Sequence, residues 1–107
     1  VDLGSGNKNE IELSGFLVKA PVYRVTPLGR TVCDIMLAVN RNVRSRSDYI
    51  PCIVWGNSAK LIKDSPVGTK IKLVGRIQSR SYTKVIGENR EERVAYEVSV
   101  NKITKEN

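Results

Sequence analysis

Hydrophobic and polar residues alternate along most of this chain, with the period of two that is typical of β-strands. The clearest case is residues 31–40, where four apolar side chains share one face: Cys33, Ile35, Leu37 and Val39. Residues 11–18, 49–55, 70–82 and 94–100 alternate in the same way. The first of these segments resumes at residues 23–26 after Pro21. The pattern therefore predicts five amphipathic strands.

The segments between these strands predict one helix and several turns. Asn57 is a suitable N-cap for a short helix from Ser58 to about Asp64, which the sequence Pro66-Val67-Gly68 ends. The polar residues 83–92, with Gly87 at their middle, predict a hairpin loop. Five strands with one short helix between the third and the fourth predict an all-β, five-stranded OB-fold β-barrel. A β-sandwich is the alternative, but it usually has more strands and no helix.

Two predicted strands carry bulk or charge on the face that points away from their aliphatic residues. On residues 49–55 this face holds Tyr49, Pro51, Ile53 and Trp55, and the opposite face holds only aliphatic residues and a cysteine. On residues 70–82 it holds four cations and ends in an aromatic: Lys70, Lys72, Val74, Arg76, Gln78, Arg80 and Tyr82. A second packed layer or a subunit contact would explain the first strand. Aromatic rings interleaved with cations also suit a stacking platform for the bases of a single strand.

The charge balance bears on the partner. Eighteen lysines and arginines against 11 acids give a net charge of +7, which favours a polyanion and nucleic acid first. The loop that follows the second strand adds Arg41, Arg44 and Arg46. A membrane partner is not expected, because the chain has no amphipathic basic helix, no lipidation motif and no apolar run near the ~18 residues of a membrane span.

Catalysis and metal binding have little support in the composition. The chain has no histidine, and its two cysteines, Cys33 and Cys52, lie in apolar strands without a CxxC spacing. A zinc site is therefore not expected, and neither is any other metal or cofactor. Without a nucleophile motif or a general base the chain is not expected to be an enzyme. Two buried free thiols favour a reducing compartment, and hence the cytoplasm.

The domain organisation predicted from composition is a single unit. Residues 1–9 are small and polar and are interpreted as a linker or an expression remnant. Residues 10–104 form the domain, and 105–107 form a short C-terminal tail. Gly15 and Gly75 interrupt their strands and are interpreted as structural, serving the curvature of the barrel.

Several segments in register resemble bacterial single-stranded DNA-binding proteins. They are residues 15–21 (GFLVKAP), 23–29 (YRVTPLG), 37–41 (LAVNR), 48–56 (DYIPCIVWG) and 75–82 (GRIQSRSY). The resemblance runs from about residue 11 to residue 103. It implies an OB fold, homo-oligomers built from paired barrels, and coating of single-stranded DNA without sequence preference or cofactors.

By position, the resemblance implies base stacking for Tyr49, Trp55 and Tyr82. It implies backbone contacts for Arg24, Arg41, Arg76 and Arg80, and Tyr23 and Arg44 complete the candidate nucleic-acid-binding residues. The chain departs from the family in three places. Val43 stands where many relatives have tryptophan, Val25 stands where an aromatic is frequent, and no acidic, apolar-tipped tail follows Ile103.

Two functions remain open at this point. The first is sequence-independent binding and protection of single-stranded DNA in replication, recombination and repair, at the bacterial nucleoid. That protein would be a dimer or tetramer, with residues 11–18 as the contact and replication or repair proteins as further partners. The second is an OB-fold adaptor of the primosomal type, which acts mainly through protein–protein contacts.

Overall fold

The computed structural model describes residues 6–42 and 46–106. Its strands are β1 (Ile11–Leu17), β2 (Val22–Val25), β3 (Thr31–Asn40), β4 (Ser47–Trp55), β5 (Lys70–Ile86) and β6 (Asn89–Lys105). The helix α1 (Gly56–Ile62) lies between β4 and β5.

Five of the strands close into a ring, in the order β1-β5-β6-β4-β3 and back to β1. All neighbours are antiparallel except β4 and β6, which pair in parallel at Cys52 to Val54. β2 lies outside this ring and pairs with the β3 edge that β1 leaves free. The predicted five-stranded OB-fold barrel is therefore confirmed, and its helix lies between the third and fourth strands of the ring. The first predicted strand is divided into β1 and β2.

The core is built from the apolar face of each strand. Its buried members are Leu17, Cys33, Ile35, Leu37, Cys52, Val54, Ala59, Ile62, Ile71, Leu73, Val98, Val100 and Ile103. α1 contributes the two of these residues that come from outside the sheet, Ala59 and Ile62. The predicted cap by Asn57 is wrong. The helix begins at Gly56, directly after β4, and no side chain caps it. Gly56 has φ 61°, which favours glycine at this junction between strand and helix.

The two mid-strand glycines lie where the backbone of another strand comes closest. A Cβ on Gly15 would overlap the carbonyl oxygen of Ala38 in β3. A Cβ on Gly75 would overlap the carbonyl oxygen of Ser99 in β6, beside a bulge in the β5–β6 ladder. Both glycines thus allow strands to approach where the barrel closes.

β5 and β6 continue past the barrel as a two-stranded arm. Residues 78–86 pair with residues 89–97, and only Gly87 and Glu88 form the turn. The predicted loop over residues 83–92 is therefore wrong. Ile77, predicted to face the core, is 45% exposed, because β1 pairs with β5 only as far as Gly75. Beyond that point the side chain of Asn9 hydrogen-bonds the backbone of Ile77, with its Oδ1 2.9 Å from the amide nitrogen.

Candidate nucleic-acid interface

The strand register places most of the predicted site residues on one face of the sheet. Residues paired in register on neighbouring strands share a face, both in the antiparallel pairs and in the parallel pair of β4 and β6. Arg24 pairs with Val32, and Val32 pairs with Trp55. Two residues back along β4, Ile53 pairs with Ser99, and Ser99 pairs with Arg76. Alternation along β4 and β5 extends the same face to its remaining members, Tyr49, Arg80 and Tyr82.

The three predicted stacking residues on this face differ in their surroundings. The side chains of Tyr49 and Tyr82 are 65% and 42% exposed, so their ring faces are accessible. Trp55 is half-buried, and its Nε1 donates a hydrogen bond to Ser99 Oγ at 3.1 Å. This bond fixes the orientation of the indole ring, so Trp55 is a rigid member of the face.

A groove of about 690 Å³ lies beside Trp55, between α1, the β2–β3 turn and strands β5 and β6. It is lined by Gly29, Arg30, Thr31, Trp55, Gly56, Lys60, Arg76, Gln78, Ser99, Val100 and Asn101. Neither Arg30 nor Lys60 is among the site residues predicted from the sequence. Arg30 follows a turn and Lys60 lies on a helix, so neither belongs to a pattern that would place it near Trp55.

Two of the predicted arginines are already paired with acids. Arg24 Nε lies 2.9 Å from Asp34 Oδ2, and this hydrogen bond raises the pKa of the guanidinium. Arg41 Nη2 lies 2.6 Å from Asp48 Oδ1, and the pair lowers the pKa of Asp48. A phosphate that bound either arginine would have to compete with a carboxylate.

The other two predicted arginines, Arg76 and Arg80, lie on β5 and have no acidic partner among the residues that the structure describes. Arg76 makes a single long hydrogen bond of 3.5 Å to Gln78 Oε1. Arg80 is exposed, and no hydrogen bond or ion pair holds its side chain within residues 6–42 and 46–106. Both guanidinium groups can accept an anion without breaking an ion pair.

Two predicted residues that the structure describes, Tyr23 and Arg41, do not lie on this face. Tyr23 pairs with Cys33 on the core side, packs against the core, and has Lys63 Nζ 5.1 Å from its ring centroid. Arg41 lies beyond the end of β3 and is tied to Asp48, whose register neighbour Val39 packs against the core. Arg44 and Val43 lie outside the described residues.

The described residues contain no group of three or more His, Cys, Asp or Glu side chains that could hold a metal ion. Burial raises the pKa of the Cys33 thiol to about 11 and that of Cys52 to about 12, so both stay protonated at neutral pH. Within the same residues no helix is long and apolar enough to cross a membrane.

Comparison with known proteins gives consistent matches. Single-stranded DNA-binding protein B of Bacillus subtilis is 36% identical over 76% of this chain and 77% of its own length. Single-stranded DNA-binding protein 3 of Streptococcus agalactiae is 33% identical over 76% of this chain and 70% of its own length. The single-stranded DNA-binding protein of Enterococcus faecalis is 36% identical over 75% of this chain, which spans only 46% of that relative.

A family-level match covers more of the chain than any of these relatives. Residues 8–105 match the single-strand binding protein family, a range that includes all six strands and the helix. The resemblance drawn from the sequence segments is therefore confirmed: the chain belongs to the single-strand binding protein family.

Proposed function

We propose that this protein binds and protects single-stranded DNA without sequence preference, and that it does so by binding alone, without a catalytic step. The observation that carries the proposal is the face that Tyr49, Trp55 and Tyr82 share with Arg76 and Arg80, two cations without an acidic partner among the described residues. The names of the three relatives above, all single-stranded DNA-binding proteins, support it.

The chemistry of this face explains a preference for single strands. Every base has a π-face that can stack on an aromatic ring, and every nucleotide carries a phosphate that can meet a guanidinium. In a duplex the base faces are stacked on one another and are not available to the protein. Contacts with π-faces and phosphates also carry no base information, so we expect no sequence preference.

We place this activity at the bacterial nucleoid, in replication, recombination and repair, with proteins of those processes as further partners.

Titration of the intrinsic fluorescence of Trp55 with poly(dT) tests the proposal directly, because Trp55 is the only tryptophan. Stacked bases should quench the emission, and duplex DNA of equal length should bind much more weakly. An adaptor that acts through protein contacts would show little quenching by poly(dT).

Arg80 provides a test of the phosphate contacts. If Arg80 neutralises a phosphate, Arg80→Ala should flatten the slope of log affinity against log salt concentration by about 0.7. Arg80→Lys is the matched control. It keeps the charge and should keep the slope, although any stacking of the guanidinium on a base is lost. Equal slopes in the wild type and Arg80→Ala would show that Arg80 does not contact the backbone.

We further propose a homodimer or homotetramer in which β1 forms a contact. Within the described residues, β1 uses one edge for β5 over Ile11–Phe16 but meets β3 only at Phe16 and Leu17. The other edge of residues 11–15 is therefore open, and open strand edges favour pairing with another chain. Phe16 and Val18 beside it are 38% and 37% exposed.

Light scattering at a protein concentration of roughly 20 µM, which is above the Kd of typical stable interfaces, should give the mass of a dimer or tetramer. Phe16→Glu should shift the population towards monomers without loss of fold, because this side chain lies outside the core cluster. A wild-type monomer at this concentration would contradict the proposal.

A further inference from the structure

The ring of Trp55 is already covered in the protein without DNA. The guanidinium carbon Cζ of Arg30 lies 5.5 Å from the indole centroid, within the range of a cation–π contact. Because Arg30 is itself exposed, the ring face that it covers points to solvent. A base that stacked on this face would need the position that the guanidinium occupies.

The side chain of Arg30 can move away from the ring of Trp55, whereas the backbone of Arg30 is fixed. Two hydrogen bonds to Thr26 hold the backbone of Arg30 in the β2–β3 turn. The carbonyl oxygen of Arg30 accepts from Thr26 N at 2.8 Å, and the N–H of Arg30 donates to Thr26 Oγ1 at 3.1 Å. The side chain has no hydrogen bond or ion pair within residues 6–42 and 46–106. Rotation about its own bonds is therefore enough to uncover Trp55.

The groove beside Trp55 offers Arg30 a second position. Lys60 and Arg76 line this groove together with Arg30, and no carboxylate from the described part of the chain does. The remaining polar lining residues, among them Gln78 and Asn101, are neutral. A phosphate in the groove would thus meet three cations and no like charge, which favours its binding over that at Arg24 or Arg41.

From these contacts, and resting on the single-strand binding proposed above, we infer that Arg30 is an exchangeable cover of Trp55. Without DNA its guanidinium stacks on the indole. When single-stranded DNA binds, a base takes that place, and the guanidinium turns to a backbone phosphate in the groove beside Lys60 and Arg76. Arg30 thus opposes the stacking of a base and supports the binding of a phosphate.

The two effects of Arg30 differ in their dependence on salt. Phosphate contacts release counterions and weaken as salt rises, with a slope of about 0.7 per phosphate for single strands. Displacement of a side chain from a ring releases no counterion. Removal of Arg30 should therefore weaken DNA binding at low salt and strengthen it at high salt.

The test is the affinity of the full chain and of Arg30→Gln for fluorescein-labelled oligo(dT), measured by anisotropy from roughly 0.05 to 1 M NaCl. The ratio of variant to wild-type affinity should rise about eightfold over this range. At the high end the variant should bind about two- to fivefold more tightly, which corresponds to the 0.5–1 kcal/mol of an exposed cation–π contact. The two lines of log affinity should cross.

A second measurement needs no DNA. In Arg30→Gln, acrylamide should quench the fluorescence of Trp55 more strongly than in the wild type, because the covering group has been removed. Acrylamide is neutral, so the change of charge does not alter its local concentration. Arg90→Gln is the matched control for both measurements. It removes the same charge from the arm, on the face opposite to Arg80 and Tyr82, where Arg90 pairs with Val85.

Each contrary result overturns the exchange. A variant that is weaker by a constant factor at every salt concentration would mean that Arg30 merely supports Trp55. A flatter slope without tighter binding at 1 M would mean a phosphate contact without a cover, and unchanged lines would mean no role. Failure of the wild type itself to bind oligo(dT) would instead remove the proposed function, and this inference with it.

Discussion

Replacing Trp55 with alanine is expected to weaken binding to oligo(dT) by about 1–3 kcal/mol, or roughly 5- to 150-fold, the usual loss for one base stack. Its ring is held in place by the hydrogen bond to Ser99, so its stacking position is ordered before DNA arrives. Because the substitution removes the intrinsic fluorophore, the affinity should be measured by anisotropy of labelled oligo(dT). Tyr82→Ala should lower it by a similar amount.

Tyr96→Ala is the matched control for these two variants. Tyr96 is also on the arm and is 67% exposed, but it pairs with Ser79 on the face opposite to Tyr82. We expect its removal to leave the affinity unchanged. Full affinity in Trp55→Ala and in Tyr82→Ala would show that the aromatic face is not the DNA platform. A loss in Tyr96→Ala of equal size would show that the arm contributes without regard to its faces.

Gly75→Ala is expected to lower the free energy of unfolding by at least about 2 kcal/mol, towards the upper part of the range for overpacking. The added methyl group would overlap the carbonyl oxygen of Ser99, and backbone atoms cannot rotate away as a flexible side chain does. The paired strands β5 and β6 must therefore move apart at this point. Urea unfolding followed by circular dichroism measures the change, and the melting temperature should fall by about 10 °C.

Ser79→Ala provides the control for this stability measurement. Ser79 is an exposed residue of the same strand, so its replacement should change the free energy of unfolding by no more than about 0.5 kcal/mol. Unaltered stability of Gly75→Ala would mean that β5 and β6 are not in close contact at this point, and that Gly75 has no structural role.

The faces of single strands were predictable because alternation is a local property of extended backbone. Cys33, Leu37 and Val54 could be assigned to the core, and Tyr49 and Trp55 to the opposite face, without knowledge of any neighbouring strand. The same reasoning failed at Ile77. Its side chain keeps the core-facing direction, but β5 has by then passed the last residue paired with β1, which leaves Ile77 45% exposed.

The length of the arm was missed for a related reason. The polarity of residues 83–92 predicts a loop, whereas a two-stranded arm exposed on both faces has no core and can be polar throughout. Its pairing rests on backbone hydrogen bonds and on cross-strand contacts such as that of Thr83 with Glu92 at 2.9 Å. These contacts place no demand on hydrophobic periodicity.

The alternating strands, their order around one helix and the outward face of the aromatic candidates follow from residue types and spacing along the chain, because each depends on neighbours in sequence. The family follows from the resemblance of whole segments. Which group each arginine contacts follows instead from strand register and loop geometry. These bring Asp34 to Arg24, Asp48 to Arg41, and Arg30 to Trp55 across 25 positions of the numbered sequence. An arginine in the sequence is only a positive charge. The three-dimensional fold sets whether it is neutralised by an acid, stacked on a ring or available to a phosphate.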